Sequence, residues 1–373
     1  MLRRGPVRDV GVRITVIALI LCVLGIISIY SNTHQKEDRY WQLTYQRQIL
    51  WVIMGLFIFS ITSHFNYRNL WDFSYFLYAF VLLLLFLVFV LGVVRLGAQR
   101  WLKIAWFNFQ PSELVKLVFV IFYARYFSAK SVHDVSLRVG KFGAFRAMLL
   151  PLLFLSVPLY LIVEQPDLGS AVMIMMIFVI MLFLGHVKLR YLLIFIGLIL
   201  AFLPLGWHFL RDYQKDRLIV FLNPNIDPLG AGYTIIQSKI AIGSGGFFGQ
   251  GWLSGTQSQL YFLPESHTDF IFATFIEEWG LAGGFVLLGL YYLLVRQGIL
   301  IAAKTYDHFG RLLALGICAM LSLQVFINVA MNLGLAPVVG IPLPLMSYGG
   351  SSLFSTLLAL GILVNINRSR AVF

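Results

Sequence analysis

Long apolar runs alternate along this chain with short loops rich in Gly, Pro and charged residues. A membrane-spanning helix needs about 20 apolar residues, because each adds about 1.5 Å against a hydrocarbon core about 30 Å thick. Ten runs meet that length: roughly 14–31, 48–64, 70–94, 112–127, 147–163, 168–187, 190–210, 270–296, 312–334 and 350–367. The pattern predicts an all-α membrane protein, a polytopic bundle of about ten transmembrane helices. The first run follows Arg3, Arg4 and Arg8, but no small-residue cleavage pattern follows it. It therefore reads as a retained helix rather than a signal peptide.

Composition agrees. The chain is 60% hydrophobic and only 12% charged, against about 25% charged in a soluble domain. Cys22 and Cys318 lie inside apolar runs, and the seven histidines show no ligand spacing. Neither a disulfide nor a cysteine–histidine metal site is expected. The net charge of +12 would suit nucleic acid, but topology explains it better. With both termini cytoplasmic, the inner loops collect most of the 28 basic residues, against only Asp9, Asp72, Asp134 and Asp307 of the 16 acids. That is the positive-inside pattern, so no nucleic-acid partner is expected. The whole of 1–373 reads as one transmembrane domain with a large outer loop at about 211–268. No Gly-rich nucleotide-binding loop and no internal repeat is visible. Chemistry, if present, faces outward without a cytosolic nucleotide, and the missing repeat weighs against an inverted-repeat transporter.

Several polar groups lie where hydrocarbon makes them costly. Arg100 and Lys103 sit among Trp101, Trp106 and Phe107, an interfacial belt. Pro111 suits the first turn of a helix, and Glu113 suits its dipole. Glu113 and Lys116, three apart, can pair either as a surface ion pair or on the rim of an outward cavity. Gln165-Pro-Asp-Leu-Gly reads as a structural turn. In the large loop, Tyr233, Ile236 and Ile240 predict a short interfacial helix that Gly243 to Gly246 would stop. Arg211, Arg217 and Lys239 would meet an outward polyanion or lipid headgroups. Asp269 ends that loop immediately before an apolar helix, with Glu277 and Glu278 inside the span. An Asp there is either a helix cap or a base. Pro337, Pro342 and Pro344 forbid a helix before the last span. Such a segment at membrane depth must be buried or line a cavity, so a re-entrant loop is expected.

Six collinear motifs then stand out: Gly97-Ala-Gln-Arg-Trp, Gln110-Pro-Ser-Glu-Leu-Val-Lys, Gln165-Pro-Asp-Leu-Gly, Gln237-Ser-Lys-Ile-Ala-Ile-Gly-Ser-Gly-Gly, Leu263-Pro-Glu-Ser-His-Thr-Asp-Phe-Ile-Phe and Pro342-Leu-Pro-Leu-Met-Ser-Tyr-Gly-Gly-Ser-Ser. Together they resemble the SEDS family (shape, elongation, division and sporulation). The stretches 223–233 and 255–259 are most similar to its cell-elongation members, while Ala105-Trp106 depart from the common pattern, which has a Gly there. The resemblance implies a ten-helix peptidoglycan glycosyltransferase of the bacterial cytoplasmic membrane. It implies lipid II as substrate, taken at the outer face, and a class B penicillin-binding protein as partner. It also implies that Asp269 is essential. The expected catalytic residue is Asp269, acting as general base or as ligand of a divalent cation, Mg or Mn. Arg100, Glu113, Lys116, Arg217, Lys239 and Ser347 are the expected substrate-binding residues. Direct displacement at the anomeric carbon would invert its configuration. A lipid II flippase, with Glu277 and Glu278 on a charged path, and a non-catalytic scaffold remain as alternatives.

Overall fold

A computed structural model describes residues 5–34, 41, 43–95, 98–104, 107–133, 149–230 and 232–369. The helices are α1 (Gly5–Thr33), α2 (Thr44–His64), α3 (Asn69–Leu91), α4 (Pro111–His133), α5 (Leu150–Glu164), α6 (Leu168–Leu184), α7 (Leu189–Phe209), α8 (Asp212–Leu222), α9 (Tyr233–Ser244), α10 (Thr256–Gln259), α11 (Ile271–Ala303), α12 (His308–Asn332) and α13 (Gly350–Ser369). The ten predicted spans all fall on helices, α1 to α7 and α11 to α13. Six of these (α1, α2, α3, α11, α12 and α13) are long and apolar enough to cross a membrane, and α5, α6 and α7 contain shorter apolar stretches. The protein is a multi-pass membrane bundle. Arg3, Arg4, Asp134, Arg138, Lys141, Arg146 and Arg370 of the inner-charge pattern, and Gly97, Ala105 and Trp106 of the outer motifs, lie outside the described residues.

Helix α4 carries Glu113, Lys116 and Arg125, yet most of its described side chains are buried. It is the central helix, enclosed by protein rather than lipid, which is why it tolerates charge. Around it, Tyr78, Phe119, Phe122, Tyr123, Phe154 and Phe178 stack edge-to-face and in parallel across α3 to α6. One end of the bundle joins α2, α3, α12 and α13. There Asn365 accepts from Tyr67 N at 2.9 Å, Tyr67 donates to Asp307 at 3.2 Å, and Arg368 donates to Ser63 O at 3.3 Å. The opposite end holds the large loop.

Three elements at the loop end depart from expectation. The segment after α3 is a three-stranded antiparallel meander, β1 (Val93–Arg95), β2 (Ala98–Ile104) and β3 (Phe107–Phe109), in the order β1-β2-β3. Register Lys103↔Asn108 sets β2 against β3. Helix α9 stops at Ser244; the face it turns to protein is Ile235, Ser238 and Ala241, while Tyr233 and Ile236 are half-buried and Ile240 is exposed. It docks on protein: a Cβ on Gly245 would stand 2.2 Å from Ile276 O.

The third is α11, expected as one continuous span. It breaks at Gly280, with φ 68° and ψ −175°. Ile271 to Glu278 before the break are all buried, whereas Phe285 and Val286 beyond it are exposed as lipid-facing residues are. The first two turns therefore belong to the loop end. The backbone groups freed at the break find partners in the Gly-rich turn. Leu281 N and Ala282 N donate to Gly246 O and Phe247 O at 3.0 Å, while Gln250 N and Gly251 N donate to Glu277 O and Glu278 O at 2.9 and 3.0 Å. Only glycine fits, because a Cβ at 280 would lie 2.3 Å from Gly249 N and 2.4 Å from Phe247 O. Gly280→Ala is expected to cost about 3 kcal/mol or more, read as a lower thermal midpoint in detergent.

The Pro-rich segment 333–349 is non-helical, as predicted, and Ile341, Leu343, Leu345 and Met346 in it are buried. It re-enters the bundle. Tyr291 in mid-α11 donates to Pro344 O at 2.5 Å, and a Cβ on Gly25 of α1 would stand 2.7 Å from Met346 Cα.

Candidate functional site

The motif Leu263 to Asp269 folds into a tight turn in which Glu265 O accepts from Thr268 N at 3.1 Å and Phe270 N at 3.2 Å. The next four carbonyls are each held from outside. Asn32 Nδ2 donates to Ser266 O at 3.1 Å, and Tyr348 N to His267 O at 2.9 Å. Ser347 Oγ donates to Thr268 O at 2.6 Å, and both Asn328 and Asn332 donate to Asp269 O at 3.0 Å. Helix α1, the re-entrant loop and α12 thus pin every peptide leading to Asp269. Ser266 and His267 are buried, and a non-helical run has no intrahelical partners, so these bonds take their place.

The Asp269 carboxylate lies against the re-entrant loop, where a Cβ on Gly340 would stand 3.3 Å from Oδ2. Gly340 has φ +71°, which itself favours glycine. Two cations face the same place. Arg217, on α8, donates to Val338 O at 3.0 Å. Arg100, on β2, donates to Gln165 O at 3.4 Å and to Pro166 O, and lies 3.9 Å from Asp167. Asp167 caps α6 and accepts from Ser112 Oγ at 3.0 Å and Gln110 Nε2 at 3.3 Å. The turn at 165–169 touches the re-entrant loop, since a Cβ on Gly169 would meet Val339 O at 2.3 Å.

These neighbours set the protonation of the site. Burial, and then the charge of Glu265, push the Asp269 carboxyl up from 3.8 to about 7, while Arg217 and Arg100 pull it down. Burial and Arg100 lower the Arg217 guanidinium, and Asp269 raises it. A carboxyl near 7 is half ionised at neutral pH, the condition a general base needs.

The remaining predicted residues are placed differently. Lys116 and Glu113 do pair, at 2.7 Å, but both are buried within the bundle rather than on an exposed surface or rim. Lys239 is exposed, its stem lying over Gly334, and it is not among the charges that shift Asp269. Ser347 is buried, donates to Thr268 O and accepts from Leu343 N at 2.8 Å; it braces the site rather than facing it. Glu277 accepts from Gln257 N at 2.7 Å and Ser258 N at 3.1 Å, and Glu278 from Ser31 Oγ. Both acids fasten the loop, so they do not form the charged path that a flippase reading requires.

Comparison with known proteins settles the family. The model for the FtsW, RodA and SpoVE family, described as cell cycle protein, matches residues 12–372. The chain belongs to this family. It is 43% identical over 326 residues to the peptidoglycan glycosyltransferase MrdB of Escherichia coli K12, covering 87% of this chain and 86% of that one. A chain in the solved structure of a peptidoglycan synthase complex coordinating polymerization and crosslinking matches with a TM-score of 0.79 at 32% identity, over 96% of this chain and 97% of that one. The rod shape-determining protein RodA of Thermus thermophilus matches with a TM-score of 0.70 at 28% identity, over 96% of each chain.

Within this family fold, sequence reasoning underrated Asp167, taken as turn chemistry, and missed Asn328, Asn332 and Gly340. Two Asn four apart in an apolar span were the available signal, since buried amides need partners. Among the described residues, no three His, Cys, Asp or Glu side chains converge to hold a metal ion. The charges that act on Asp269 are of both signs, Glu265 and Asp167 beside Arg217 and Arg100.

Proposed function

We propose that this protein polymerises lipid II, the undecaprenyl-pyrophosphate-linked disaccharide peptide, into glycan strands as the peptidoglycan glycosyltransferase of cell elongation. The observation that carries the reading is Asp269: a carboxyl near neutrality on a platform pinned at every carbonyl, with Arg217 and Arg100 in electrostatic reach. Asp269 takes the proton from the 4-hydroxyl of the acceptor sugar. That oxygen attacks the anomeric carbon of the lipid-linked donor and forms the new C–O bond. The bond to the diphosphate breaks, and undecaprenyl pyrophosphate departs with the electron pair. One base and no protein nucleophile means a single displacement and inverted configuration. Arg217 and Arg100 stabilise the charge that grows on the leaving group.

The site opens on the outer face of the bacterial cytoplasmic membrane and both termini are cytoplasmic, because the basic residues gather at the opposite end. The polyprenyl tail stays among lipid-facing helices. A class B penicillin-binding protein, which cross-links the strands, is the partner; the likeness to a chain of a peptidoglycan synthase complex supports this.

The test is polymerisation of purified lipid II by the protein with its class B partner, transpeptidase blocked and strands resolved by length. Strands from wild type are expected. Translocation of lipid II across vesicles without strands would establish a flippase instead, and neither activity would leave a scaffold.

A further inference from the structure

In an unbroken helix the Asp269 carbonyl would accept the N–H of Ala273, four residues on. Helix α11 starts only at Ile271, and the Asn332 side chain stands between those two groups. Its Nδ2 donates to Asp269 O at 3.0 Å, and its Oδ1 accepts from Ala273 N at 3.1 Å. One amide thus stands in the gap between them, and Ala273 N shares its proton with Phe270 O at 3.1 Å. Asn328, one turn earlier on α12, donates to the same carbonyl at 3.0 Å and to Ile341 O at 2.7 Å. Ile341 follows Gly340, the residue against which the Asp269 carboxylate lies. Both asparagines have 0% exposure, so neither can touch substrate directly. Ser238 Oγ adds a bond to Asn332 O at 2.8 Å, which ties α9 to the same point.

We propose that Asn332, assisted by Asn328, is a positioning residue that holds Asp269 outside the helix and fixes its carboxylate against the re-entrant loop. The proposal rests on the reading of Asp269 as the base. Without the inserted amide, Asp269 O and Ala273 N can pair directly. The helix then grows toward its N-terminus, and each residue it gains turns by about 100°. The carboxylate swings away from Gly340, Arg217 and Arg100. Displacement of a reacting group by about 1 Å costs about 100-fold in rate. Asn332 is itself buried and reaches no substrate, so the loss falls on kcat rather than on KM.

Asn332→Ala and the isosteric Asn332→Asp separate positioning from simple packing. The aspartate keeps the acceptor for Ala273 N but cannot donate to Asp269 O when ionised. Both are measured with Asp269→Ala in the full-length protein with its class B partner, using lipid II and normalising to folded protein by size exclusion and thermal unfolding. A fall in kcat of about 100-fold with KM within about two-fold is expected for both Asn332 variants. Folded variants that retain kcat within about two-fold, or that lose activity through KM, overturn the proposal. Failure of both variants to fold also overturns it, since Asn332 would then be structural. Polymer from Asp269→Ala would instead sink the base assignment itself, whatever the Asn332 variants do.

Discussion

Asp269→Asn is expected to lower the rate of strand synthesis by about 100- to 10,000-fold, the usual contribution of a positioned general base, in a protein that folds as well as wild type. The asparagine keeps the volume and planarity of the carboxyl, so contact with Gly340 persists. The four flanking carbonyls are held through the main chain and by other residues, so the platform does not depend on the side chain. What disappears is the ability to take a proton. Stability moves in the opposite direction. The folded protein raises this carboxyl from 3.8 to about 7. Stability associated with the neutral form is therefore complete below 3.8 and is lost as pH rises through about 7. At pH of about 8 the wild type carries an ionised, disfavoured carboxylate, and the neutral variant does not. The variant should then unfold at the same temperature or higher. A variant that loses activity only because its thermal midpoint collapses would refute the assignment.

Arg217→Ala is expected to reduce the rate by about 100- to 1,000-fold at every pH, as loss of a preorganised group facing the developing charge does. It also changes the shape of the pH profile. Asp269 must be ionised to act, so kcat/KM should rise with pH through a limb near 7. Arg217 pulls the Asp269 carboxyl down, so its removal should move that limb to higher pH. Glu265 pushes it up, and Glu265→Gln should move the limb to lower pH while retaining an acceptor for Thr268 Oγ1, now 3.0 Å from Glu265 Oε2. Opposite displacements in the two variants, read from kcat/KM across the pH range, would tie the limb to Asp269. Limbs that do not move would assign it to another group. The sign matters more than the size, because the two variants change the same carboxyl through charges of opposite sign.

Gly280 shows what a one-dimensional reading conceals. The apolar run at 270–296 is interrupted only by Glu277-Glu278, which mark a costly position but do not by themselves indicate a break in the helix. The break exists because the Gly-rich turn at 246–251 supplies partners for the freed backbone groups, and that turn arrives from a separate part of the loop. The burial of Glu113 and Lys116 has the same character. Their spacing indicates that they pair, but only the central place of α4 makes the pair a buried one. Likewise the α9 periodicity places a helix and its apolar stripe Tyr233, Ile236 and Ile240, but the opposite face, Ile235, Ser238 and Ala241, is the one that packs on protein, and no periodicity indicates that.

The sequence by itself determined the class of molecule, the helices that carry the ten apolar runs and the non-helical re-entrant segment, and it drew attention to Asp269 as a candidate. Each of these follows from local rules: hydrocarbon thickness dictates run length, proline forbids helix, and a carboxylate beside an apolar span is costly enough to need a reason. The tertiary structure assembled the candidate site. Arg100, Asp167, Arg217, Asp269 and Gly340 come from five separate segments, and no periodicity relates them. Whether a cation faces Asp269 or lies elsewhere, as Lys239 does, depends on how those segments pack. The same holds for the Asp269 carboxyl near 7, since burial and neighbouring charges are properties of the assembled bundle and not of any stretch of chain.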